Sequence, residues 1–169
     1  MTFFVLDPNP VKSANSLCWL DCESAAYEGA RILVSAFQHE GADVSEMNTK
    51  PMNHSLVRWA VVSSENARWL YRYTRAATIK WGKPDLRSPD TIAGYDKMMK
   101  RLNEVAGMID KTMTHGQQTL FGNFYIDGEI DIVFKQETLD SNNAYYEKTR
   151  EHLRWADHAP SNYGRGEEE

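Results

Sequence analysis

Residues 17–33 read LCWLDCESAAYEGARIL, and their spacing decides the architecture. Cys18, Cys22, Ala25, Gly29, Ile32 and Ala36 recur every three to four positions, the period that places small and apolar side chains on one face of an α-helix. That face is predicted to pack. A second line, Asp21, Ser24, Glu28, Arg31 and Ser35, follows the same period on another face and sets a carboxylate and a guanidinium one turn apart. It faces either water, as an ion pair worth about 0.3 kcal/mol, or a site. Gly29 costs roughly 1 kcal/mol against Ala inside a helix, so close approach by another backbone or a ligand is expected there.

Working outward, the chain reads as a succession of helices. An extended segment at 2–6 is closed by the turn cluster Asp7-Pro8-Asn9-Pro10, and one long helix is predicted from about Val11 to His39, ended by Gly41. A polar loop follows, up to Asn53. Leu56, Trp59, Ala60, Trp69, Leu70, Tyr73 and Ala76 then keep helical spacing through two consecutive helices, the second capped by Ser63 or Ser64 and ended by Gly82. Ser88-Pro89-Asp90 has the cap, first-turn proline and acid of another helix, ending near Met108. Asp127-Gly128 within the alternating FYIDGEIDIVF predicts a hairpin near residues 122–135, and the stretch 141–155 is predicted helical. The expected fold is mainly α: a single compact, orthogonal helical domain over 1–158 with a small β-hairpin, then a disordered acidic tail at 159–169.

Composition bounds the function. The chain has 169 residues, enough for one core without disulfide or metal staples, so the two cysteines, four apart on the packed face, are expected as reduced core thiols. The five histidines are scattered and no metal site or cofactor is predicted. Neither a membrane span nor a signal peptide is expected. A net charge of −5 argues against an extensive nucleic-acid surface, but Arg68, Arg72, Arg75, Lys80, Lys83, Arg87, Lys97, Lys100 and Arg101 crowd the middle of the chain. This cluster is either a basic patch or a solvated helix face.

Three blocks together carry a family resemblance. LCWLDCESAAYEGARIL resembles the first long helix of the pyrimidine-dimer DNA glycosylases of the phage endonuclease V type. Asn53-His54, Trp59, Asn66 and Trp69-Leu70 resemble the second block of phage-encoded relatives, and 144–148 through Trp155 their aromatic C-terminal block. The resemblance implies a helical enzyme that bends duplex DNA, displaces a nucleotide and cleaves its glycosidic bond through an imine, in the cytoplasm of a host cell if a phage encodes it. Carried over residue by residue, the nucleophile is the α-amine of Thr2 after removal of Met1, the acid is Glu28, and Arg31 meets DNA. An α-amine with a pKa of about 7.7–8.0 is partly neutral at pH 7, which suits nucleophilic attack. Where relatives carry a His or Arg and a Lys ahead of the glutamate, this chain has Asp21 and Ser24, so two phosphate-binding charges are absent from this helix.

The predicted DNA-binding set is Arg31, His54, Arg68, Arg72, Arg75, Lys80, Tyr145, Tyr146 and Lys148. Each has an alternative in plain structure: His54 as a helix cap or core hydrogen-bond partner, the tyrosines and Trp155 as core aromatics. The favoured function is a glycosylase and lyase acting on damaged or modified pyrimidines in duplex DNA. Two further classes stay open: a phage base-modification or nucleotide-processing enzyme on the same scaffold, and a catalytically inactive protein that binds DNA or a protein partner.

Overall fold

The computed structural model describes residues 5–44, 54–82, 89–117, 139–140, 143–144 and 146. Six helices are described: α1 (Pro10–Asn15), α2 (Trp19–His39), α3 (Ser55–Val62), α4 (Ser64–Trp81), α5 (Pro89–Ala106) and α6 (Ile109–Thr112). The fold is mainly α, with no strand among the described residues. The hairpin predicted near 122–135, the loop at 45–53 and the tail at 159–169 lie outside them, as does most of the helix predicted at 141–155. No helix among the described residues is long and apolar enough to cross a membrane.

Local chemistry sets most of the boundaries. Asn9 accepts from the N–H groups of Val11 and Lys12 at 3.0 and 3.1 Å, with Pro10 at the first helical position, so α1 begins where a capped proline helix must. Gly41, at φ +79°, lets the chain turn out of α2, as the left-handed conformation requires. Ser63 caps α4 by accepting from Asn66 N–H at 3.2 Å, and the Asn66 amide donates to Trp59 O at 2.7 Å, tying the end of α3 to the start of α4.

One prediction is corrected. The single helix expected over 11–39 is broken at Ser16–Cys18, where Cys18 is extended and forms the N-cap of α2. Neither proline nor glycine makes this corner; distant side chains do. The Lys80 ammonium donates to Asn15 O at 2.7 Å and Leu17 O at 2.6 Å, two carbonyls that a continuous helix would pair internally. On the other side of the corner, Cys18 N–H donates to the Tyr146 hydroxyl at 2.5 Å.

α2 is the centre of the packing: α3, α4 and α5 all lie against it, and α1 crosses α4. Its predicted face is buried, with Cys18, Cys22, Ala25, Ile32 and Ala36 all in the core. Gly29 meets α4 at Thr74 so closely that a Cβ there would stand 2.9 Å from Thr74 Cβ and nearer still to its hydroxyl, which is the close approach the sequence implied. Around this contact Trp59 packs edge-on to Trp69 at 5.9 Å, and Trp69 stacks on Tyr73 at 5.4 Å. The Trp69 indole N–H also donates to Pro8 O at 2.7 Å, and the Asn143 amide donates to Leu6 O at 2.9 Å. Both ends of the described chain are thereby fastened to the same core.

Candidate functional site

Glu28 and Arg31 occupy the middle of α2 on the second line read from the sequence. Arg31 Nη1 donates to Glu28 Oε1 at 3.2 Å; the glutamate side chain is 12% exposed and the arginine 31%. The pair is thus a half-buried band rather than a solvated surface bridge, and Ser35, further along the same line, is buried with its hydroxyl donating to Arg31 O at 2.7 Å. At the start of the band, the Asp21 carboxylate accepts from the Cys18 thiol at 3.2 Å.

The basic line predicted through Arg68, Arg72, Arg75 and Lys80 is divided. Arg68 pairs with Glu65, at 2.9 Å, and with Asp110, which ties α4 to α6. Lys80 is buried and holds the α1–α2 corner. Arg72 and Arg75 remain exposed, and among the described residues no carboxylate pairs with either. They line an open cleft of about 560 Å³ between α1, α4 and α5. Tyr71, Ala76, Ile79 and Lys80 contribute from α4, Val11 and Asn15 from α1, and Asn103 from α5. Val11 and Ile79 are each 43% exposed, so the cleft combines cations, amides and bare apolar surface.

His54 precedes α3 as its N-cap by backbone geometry, with its carbonyl accepting from Arg58 N–H at 3.1 Å and no cap bond from its side chain. Tyr146 is buried against the start of α2, ten residues and about 15 Å of helix from Glu28. Its position supports the core reading of this ring. Burial, together with the bond to Cys18, pushes its phenol well above the usual tyrosine range, and burial pushes the Cys18 thiol up as well. Thr2, Tyr145 and Lys148 lie outside the described residues. Cys18 and Cys22 are free thiols. Among the described residues no group of three or more His, Cys, Asp or Glu could hold a metal ion.

The structure therefore brings Glu28 to Arg31, and Arg72 and Arg75 to Lys80, but sets Arg68 and Tyr146 to other tasks. Sequence reasoning missed Tyr71, Asn15, Val11, Ile79 and Asn103 as neighbours of the arginines. Part of the signal was present: Arg68, Arg72, Arg75 and Ile79 follow one helical line, whereas Lys80 falls three after Ala77 and seven after Tyr73, on the packed side. No family model, curated protein or solved structure matches the chain.

Proposed function

We propose that the protein acts on duplex DNA as a base-flipping glycosylase with lyase activity on damaged or modified pyrimidines. The observation that carries this reading is the Glu28 carboxylate, mostly withdrawn from water and oriented by Arg31 on the helix against which the other long helices pack. A carboxylate held in this way suits proton transfer better than one on a freely rotating surface side chain. In the proposed reaction the α-amine of Thr2 attacks C1′, the bond from C1′ to the base breaks, and the base leaves with a proton. Opening of the sugar ring gives an imine. The departing base takes its proton from water; Glu28 takes the proton released by the attacking amine and returns it to O4′ as the ring opens. The regenerated carboxylate then removes the C2′ proton as the 3′ phosphate departs by elimination.

Borohydride reduction of the imine tests this directly, since it leaves a covalent protein–DNA adduct on abasic or hypermodified duplexes. Glu28→Gln is expected to abolish adduct formation and turnover while DNA affinity and the unfolding midpoint stay within error. Failure to trap any adduct on abasic, dimer-containing and hypermodified duplexes alike would remove the lyase. A second reading, DNA binding without catalysis, is favoured by one feature of α2: Asp21 presents a carboxylate engaged with Cys18 where a phosphate-binding helix would present a cation.

A further inference from the structure

The cleft between α1, α4 and α5 has the chemistry of a binding site in its own right. Arg72 and Arg75 are three apart on α4, so their guanidinium groups project from one side of the helix at the cleft wall. From Asn66 to Trp81, α4 contains no acid, in a chain whose net charge is −5. Two arginines with no carboxylate partner among the described residues are a local inversion of the protein's charge. Lys80 sharpens the inversion from below. Its ammonium covers the Asn15 and Leu17 carbonyls, which would otherwise present the negative end of α1 beside the cleft.

Cations alone would fit any anion, but the remaining walls are selective. Tyr71 offers an aromatic face, and Val11 and Ile79, each 43% exposed, offer apolar contact. Asn15 and Asn103 add amides able to donate and accept. A volume of about 560 Å³ falls within the usual range of small-molecule pockets, roughly 300–1,000 Å³. The geometry points to a site for a phosphate ester carrying a flat heteroaromatic body: a nucleotide, with its phosphate on Arg72 and Arg75 and its base against Tyr71, Val11 and Ile79. The nucleotide is either free in solution or an unstacked unit of a single strand. This inference is independent of the reaction proposed at Glu28.

Titration of the full chain at low salt tests it, using deoxynucleoside monophosphates, the matching nucleosides, inorganic phosphate and short single-stranded oligonucleotides. A monophosphate is expected to bind at least about tenfold more tightly than its nucleoside or inorganic phosphate, because each of these supplies only half of the contacts. Arg72→Ala with Arg75→Ala is expected to weaken binding by about tenfold or more, with an unchanged thermal midpoint because both side chains are exposed. Tyr71→Leu is expected to reduce the preference for monophosphate over phosphate. Arginine-dependent binding of oligonucleotides without binding of free monophosphates would assign the nucleotide to a strand. Glu28→Gln is expected to bind as the parent does, so loss of lyase chemistry and loss of this site are separable. The proposal is overturned if no monophosphate or oligonucleotide binds at millimolar concentration, if phosphate binds as tightly as the nucleotide, or if the double arginine variant binds unchanged.

Discussion

At the scale of single residues, Gly29 and Thr74 bring the two central helices into close contact. The Thr74 hydroxyl is buried there without a hydrogen-bond partner, and it lies where a Gly29 side chain would go. Two opposite outcomes follow from one geometry. Thr74→Val keeps the shape and removes an unsatisfied polar group, so it is expected to raise unfolding free energy by about 1 kcal/mol. Gly29→Ala gains roughly 1 kcal/mol of helix propensity but must displace Thr74, and overpacking of this kind commonly costs 1–3 kcal/mol, so it is expected to destabilise by about 1 kcal/mol net. Urea unfolding of both variants decides; a Gly29→Ala protein more stable than the parent would mean that the helices are not held at this separation. Lys80 shows the same dependence on context. Lys80→Met keeps the apolar stem but strands the carbonyls of Asn15 and Leu17, with an expected loss of about 1–3 kcal/mol in the same measurement.

At the scale of elements, what the sequence disclosed depended on how local the cause was. The packed face of α2, the Ser63 cap of α4, the turn at Gly41 and the demand for close approach at Gly29 were legible because each is dictated by neighbours within a turn or two. The corner between α1 and α2 was not legible. Its donors and acceptors come from Lys80 and Tyr146, far along the chain, and its own residues carry no breaker. Likewise the Glu28–Arg31 pair was legible from its spacing, whereas the cleft was not, because Val11, Asn15 and Asn103 reach it from other helices. The corner also gives the protein a pH dependence. The phenol of Tyr146 and the thiol of Cys18 are both held above their ordinary values of 10.0 and 9.0, chiefly by burial. Above those values the unfolded chain releases protons that the folded chain retains, so stability is full below about pH 9 and falls as pH rises further. Denaturation midpoints between pH 8 and 11 are expected to decline, and Tyr146→Phe to decline less steeply from a lower starting point because it also loses the bond to Cys18 N–H. An equally steep alkaline decline in Tyr146→Phe would place the titration elsewhere.

At the scale of the whole molecule, charge is segregated rather than merely negative. The chain carries −5 overall, while α4 alone holds Arg68, Arg72, Arg75 and Lys80 against the single acid Glu65. Counting residues overstates the surface this offers to a polyanion. Arg68 already meets two carboxylates, and the Lys80 ammonium is occupied by backbone carbonyls, which leaves Arg72 and Arg75 as the cations of α4 that can meet phosphate without first breaking an ion pair among the described residues. Each duplex phosphate neutralised contributes about −0.9 to the slope of log affinity against log salt. If α4 meets duplex DNA, its share of that slope is therefore expected near −1.8, half of what its four cations would give. Arg72→Ala and Arg75→Ala should each flatten the measured slope by about 0.9. Arg68→Ala should leave the slope alone and lower stability instead, through loss of the tie between α4 and α6. Equal flattening by all three variants would mean that Arg68 releases Glu65 and Asp110 on binding, and that the α4–α6 contact is part of the DNA-binding equilibrium rather than a fixed strut.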